Sequence, residues 1–257
     1  MENPVLLAFF FFLIAIFYSS VGFGGGSSYL ALLVLAGIDL FVLRSTALMC
    51  NIIVVSSGTY IFYQEGYLNL KRSLPLVIAS VPLALLGGYL PLSESFIFIV
   101  LGFALLIAAI MLWVKPHSKS SSQNEDAEEN RPNGAPIAAG LGGGIGFISG
   151  MVGIGGGIFL APILNLINWS KPKKIAAIAS LFILVNSIAG LIGQWIQHPP
   201  YLDLDWSWPL LIAVLLGGQI GSRLAVQKFS NTTVKRTTAV LVLVASLKIL
   251  NDHLFGF

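Results

Sequence analysis

Apolar runs of about 20 residues, each long enough to cross a hydrocarbon layer of roughly 30 Å as a helix, follow one another along nearly the whole chain. A chain built this way has lipid for its solvent, where a helix satisfies its own backbone hydrogen bonds. Composition agrees. Only 10% of the 257 residues are charged and 56% are hydrophobic, whereas a soluble surface carries roughly a quarter charged residues. The expectation is an all-α polytopic membrane protein. Met1 to Pro4 holds no Lys or Arg, and the apolar run from Val5 leads into further such runs, so the N-terminus reads as mature membrane segment rather than a cleaved signal.

The same passage occurs twice, VGFGGG at 21–26 and VGIGGG at 152–157. Further echoes keep the order: SSG at 56–58 against IAG at 188–190, then LGGYL at 86–90 against LGGQI at 216–220. Matches in register mark an internal duplication, so each half is one structural unit. Between the halves lies the one long polar tract, KPHSKSSSQNEDAEENRPNG at 115–134, which is too rich in Ser, Asn and acidic residues to bury a core and reads as a flexible linker. The organisation is therefore a first membrane repeat at 1–114, the linker at 115–134 and a second repeat at 135–257. In each half a long apolar segment interrupted by the glycines (5–37 and 136–167) precedes three simpler ones, 42–63, 74–90 and 96–114, then 175–196, 208–226 and 234–250.

The basic residues decide how often each half crosses, because Lys and Arg gather in cytoplasmic loops. If each long segment is a hairpin of two half-helices entering and leaving on one side, Lys71, Arg72, Lys115, Lys119, Arg131, Lys171, Lys173, Lys174, Lys228, Lys235 and Arg236 share a side. The other side keeps Arg44, with Arg223 and Lys248 inside helices near their ends. If each long segment crosses once, the loop charges divide almost evenly, so the hairpin is the better reading. Three crossings per half make the halves inverted relative to one another, as in many transporters. The fold expected is two inverted repeats, each a glycine-broken re-entrant helical hairpin plus three transmembrane helices. It sits in the cell inner (plasma) membrane with the linker cytoplasmic and both termini outside, as is the acidic loop with Asp203 and Asp205.

A run such as Gly22, Gly24, Gly25, Gly26 disfavours continuous helix by roughly 1 kcal/mol per glycine relative to alanine. A helix broken at membrane depth is tolerated where its freed backbone groups face protein or an aqueous cavity. The half-helices that start at Ser27 and Ser28 and at Ile158 then point free amides and a positive dipole end toward the membrane middle, a place for an anion. The bland alternative is that the glycines only let helices pack closely. That alternative is weakened by the second passage, Gly153, Gly155, Gly156 and Gly157, at the equivalent place. Gly87-Gly88, Gly217-Gly218 and Gly142 to Gly144 read as packing glycines. The substrate-binding candidates are the glycines of both passages, Gly22, Gly24, Gly25, Gly26, Gly153, Gly155, Gly156 and Gly157, with Ser27, Ser28 and Ile158, supported by Asn51, Asn186 and Ser187 as donors.

Other classes fit less well. No Asp, Glu or His lies in the middle of an apolar segment, which disfavours a proton relay and leaves a buried serine without a base, so the chain does not read as an enzyme. Cys50 stands alone and reads as a core filler. No metal-ligand pattern or cofactor motif is present, and the net charge of +3 comes from short basic loops rather than a patch that would bind nucleic acid. The partners expected are a small anionic substrate and the lipid bilayer, with a homo-oligomer left open. Arg44 and Arg223 lie near segment ends and are expected to snorkel to an interface.

The chain resembles the sulfite exporter TauE/SafE family of membrane permeases. The duplicated G-x-GGG passages at 22–26 and 153–157 carry the resemblance. So do Arg44-Ser45-Thr46-Ala47-Leu48 and Ala179-Ser180-Leu181 at the start of the following helices, and Asn186-Ser187 before Ala189-Gly190. It covers essentially the whole chain and implies transport of sulfite, sulfoacetate or related organosulfonates, with direction open. Thr46-Ala47-Leu48 departs from the Thr-Ser-Leu common in relatives, and Ile158-Phe159 stands where the first half has Ser27-Ser28. Unequal contributions of the two halves are therefore expected. The alternative is a non-transporting membrane scaffold or assembly factor.

Overall fold

A computed structural model describes residues 4–20, 22–113, 134–167, 169–197, 204–224 and 231–254. The expected linker, except Gly134, and Asp203 lie outside the described residues. The elements among them are all helical: α1 (Pro4–Ser19), α2 (Gly26–Leu35), α3 (Leu40–Gln64), α4 (Leu70–Tyr89), α5 (Glu94–Trp113), α6 (Gly134–Val152), α7 (Gly157–Leu166), α8 (Pro172–Gln197), α9 (Leu204–Leu224) and α10 (Asn231–Leu254). Stretches Leu40–Gln64, Leu70–Tyr89, Glu94–Met111 and Pro172–Gln197 are long and apolar enough to cross a membrane. Phe9, Ile78, Ile107, Ile110, Ile196 and Leu247 are more than half exposed, an outward apolar surface that suits lipid and not water.

Both long first segments break at the glycines. In α2 and α7 the N-cap is glycine in the left-handed region, Gly25 with φ 88° and Gly156 with φ 83°, where an L residue is disfavoured by roughly 1–2 kcal/mol. The reversal folds α2 back along α1, so Phe11 and Tyr29 stack with centroids 4.6 Å apart and Tyr18 hydrogen-bonds Ser28 at 2.5 Å. In the second half α7 folds back likewise: a Cβ on Gly156 would lie 3.1 Å from Ile145 and 3.3 Å from Ser149 in α6. With 10 residues each, α2 and α7 are about 15 Å long at 1.5 Å per residue, half a hydrocarbon layer.

The packing repeats when the halves are exchanged. The contact of α4 with α6 is matched by that of α9 with α1, and that of α4 with α8 by that of α9 with α3, while α3 meets α8 and α5 meets α10. Glycines permit the closest approaches. Gly142, Gly146 and Gly150 of α6 sit on the backbone of Leu76, Ser80 and Ala84, and Gly217 and Gly221 of α9 on that of Phe12 and Ile16. In both pairs the helices run in the same direction. In contrast, α3 and α8 run antiparallel: Thr59 bonds Ser180 at 2.9 Å, and Ser45 donates to Gln194 at 3.3 Å.

Several expectations change. Gly87, Gly88, Gly142 and Gly217 do pack against backbone, but Gly144 meets nothing within 4 Å. Lys71 and Arg72, Lys173 and Lys174, and Lys235 and Arg236 lie inside the starts of α4, α8 and α10 rather than in loops, and Asp205 belongs to α9. Helices extend past their apolar stretches because polar residues serve their ends, as where Asn69 caps α4 by accepting from the Arg72 amide at 3.2 Å.

Candidate functional site

The two glycine loops close on one side chain of α3, Asn51, which has no exposed surface. Its Nδ2 donates to the Ile154 carbonyl oxygen at 2.9 Å, tying the first half to the loop of the second. Cβ atoms on Gly24 and Gly26 would overlap the Asn51 amide, and one on Gly155 would lie 2.8 Å from both Asn51 Nδ2 and Ser187 Oγ. Only glycine lets both loops approach this amide. Asn51 Oδ1, Ser27 Oγ and Ser187 Oγ are buried without hydrogen-bond partners.

The helices α2 and α7 start on either side of Asn51, and no side chain caps either of them. Each N-terminus presents its first two amides, those of Gly26 and Ser27 and of Gly157 and Ile158, without intrahelical acceptors, while the third donates back to the N-cap glycine carbonyl, and each carries roughly half a positive charge. Between them is a cavity lined by Tyr18, Phe23, Gly24, Gly25, Gly26, Ser27, Asn51, Ile154, Gly157, Ile158 and Ile183, with room for about one water molecule. Two dipole ends, free amides and a carboxamide suit an anion, and one larger than water enters only if the loops part.

The lining includes the sequence candidates Gly24, Gly25, Gly26, Ser27, Asn51, Gly157 and Ile158. Ser28 is held by Tyr18, and Gly155 and Ser187 lie beside Asn51. Gly22 packs on Ala176, Gly153 on Arg44, and Gly156 faces Phe182. Asn186 donates to its own helix at the Phe182 carbonyl, 2.8 Å away, with its Oδ1 buried and unpartnered. The counterpart of Asn51 is Ile183: Gly155 and Gly157 close on Ile183 as Gly24 and Gly26 close on Asn51. Tyr18, Phe23, Ile154 and Ile183 were missed by sequence reasoning, although Tyr18 was visible as a polar aromatic residue just before the first glycine passage.

Arg44 corrects an expectation. It does not snorkel: it is 1% exposed, and its Nη2 donates to the Gly150 carbonyl oxygen at 3.3 Å. The second-half loop and α6 cover this end of α3, which a single apolar run does not reveal. Arg223, in the last turn of α9, is exposed.

Residues 7–249 match the family described as sulfite exporter TauE/SafE. Probable membrane transporter protein y4hK of Sinorhizobium fredii is 35% identical over 249 residues, spanning 95% of this chain and 97% of that protein. Probable membrane transporter protein YunE of Bacillus subtilis is 24% identical over 214 residues, 77% of each. Probable membrane transporter protein MJ0441 of Methanocaldococcus jannaschii is 26% identical over 229 residues, 83% of each. No solved structure matches the chain.

Proposed function

The chain belongs to the sulfite exporter TauE/SafE family of membrane transporters, and from that premise we propose that it is a permease for small sulfur-containing anions such as sulfite, thiosulfate or organosulfonates. The anion binds between the N-termini of α2 and α7, near the membrane midplane. One observation carries this reading: two uncapped half-helices converge on the buried amide of Asn51. Convergent positive helix ends in a water-poor site favour an oxyanion over a neutral or cationic solute. The halves form inverted repeats, each hairpin re-entrant, a reading supported by the antiparallel run of the equivalent helices α3 and α8. The linker and the basic helix starts face the cytoplasm.

The test is thermal stability of the purified protein in detergent, titrated with sulfite, thiosulfate, sulfoacetate, taurine, sulfate and chloride at constant ionic strength. A ligand of the folded state raises stability by mass action, so selective stabilisation by a sulfur oxyanion is expected. A flat response to the whole panel would refute the reading in favour of a scaffold role.

A further inference from the structure

We infer that Arg44 is the charged ligand of an anion subsite at the junction of α3, α6 and α8, so that the substrate's charge is read by a guanidinium as well as by helix ends. This rests on the anion-transport reading above and adds a residue that binds. A guanidinium removed from solvent is strongly disfavoured unless an anion or a full set of acceptors compensates it. Arg44 is 1% exposed, and among the described residues its one hydrogen bond is the long contact to Gly150. Its Nε has no partner. Gly150 lies in the last turn of α6, where carbonyls and the negative dipole end hold a cation loosely and release it when a better acceptor arrives.

Packing does not require this charge. In the other half Gly22 closes on Ala176 just as Gly153 closes on Arg44, so a methyl group fills the equivalent place. A second donor points the same way. Gln194 is 4% exposed; its Oε1 accepts from Ser45, while its Nε2 is buried without a partner. The subsite lies near the cavity. Arg44 and Asn51 are seven residues apart, hence on one face of α3 and about 10 Å apart along it. The loop that covers Arg44 at Gly153 continues through Ile154, which binds Asn51. The ligand class is a small oxyanion able to take two parallel N–H bonds from the guanidinium fork, as a sulfonate or sulfite does.

The anion titration is repeated on Arg44→Met and Arg44→Lys, with phosphate added to the panel. Arg44→Met is expected to fold and to be more heat-stable without ligand, because a buried unpaired charge has been replaced by an apolar side chain. Its affinity for the stabilising anion should fall on the order of thirtyfold, as when one member of a buried charge pair is truncated. Arg44→Lys should retain an intermediate affinity, because it keeps the charge and loses the fork. If Arg44→Met binds a sulfur oxyanion as tightly as the parent, the subsite is refuted and the transport reading stands. If instead the parent responds to phosphate alone and Arg44→Met loses that response, the subsite stands and the sulfur substrate class falls. A parent that responds to no anion overturns both. Should Arg44→Met prove misfolded, Arg44→Lys decides, since unchanged affinity in it removes the need for a fork.

Discussion

At the residue scale the site turns on the Asn51 amide and on what two glycine loops allow to approach it. Asn51→Asp keeps the size of the side chain, removes the donor to the Ile154 carbonyl and puts an acid at the proposed anion site, so anion-dependent stabilisation should weaken on the order of tenfold or more at neutral pH, read by the same titration. Gly25→Ala strains a left-handed N-cap by about 1–2 kcal/mol and brings a Cβ within 2.9 Å of the Tyr29 ring. Lower melting temperature together with lost flux in proteoliposomes is expected. Much of this was legible: the glycines, Ser27 and Asn51 stood out as polar or flexible positions inside apolar runs. Asn51 and Asn186 lie in equivalent segments but not at equivalent positions, since the SSG and IAG echo, with Gly58 aligned to Gly190, sets Asn51 opposite Ile183. Arg44 was unreadable, since its burial comes from Gly150 and Gly153, over a hundred positions away in sequence.

At the element scale the hairpins and the glycine-rich faces of α6 and α9 determine what packs where. A Cβ on Gly150 would overlap the Ala84 backbone, so Gly150→Leu should separate α4 from α6 and abolish folded protein, seen as a lost monodisperse peak after detergent extraction. The Thr59–Ser180 bond between α3 and α8 is expected to contribute about 0.6 kcal/mol, typical of hydrogen bonds between membrane helices, measurable by a double-mutant cycle on alanine variants. Apolar length and the glycine breaks foretold these elements in order. Helix ends were less legible, because Lys71, Lys173 and Asp205 look like loop residues by polarity while the backbone is already helical there. The pairing of α1 with α9 and of α4 with α6 lies beyond a reading of single segments, since it joins each half's first helix to a helix of the other half.

For the whole molecule, the proposed orientation, with the linker cytoplasmic, predicts that a cysteine placed in the linker, at Ser121, reacts in intact cells only with membrane-permeant thiol reagents. The background is clean, because Cys50 is the sole native cysteine and is buried. Labelling by an impermeant reagent would reverse the assigned orientation. The halves are also joined away from the site. Arg72 of α4 donates to the Trp169 carbonyl at 2.7 Å and lies over its ring, and Lys173 of α8 lies over Tyr67. The duplication gives the frame its two-fold pattern, yet Asn51 faces Ile183 and Arg44 faces Ala176 across it. A solute arriving from one compartment therefore meets a wall of different chemistry from one arriving from the other. Half-saturation concentrations should differ between inward and outward flux measured on oriented vesicles. Maximal rates must then differ in compensation, because at equal concentrations and zero membrane potential a passive carrier sustains no net flow, and accumulation requires a membrane potential or a gradient of another solute.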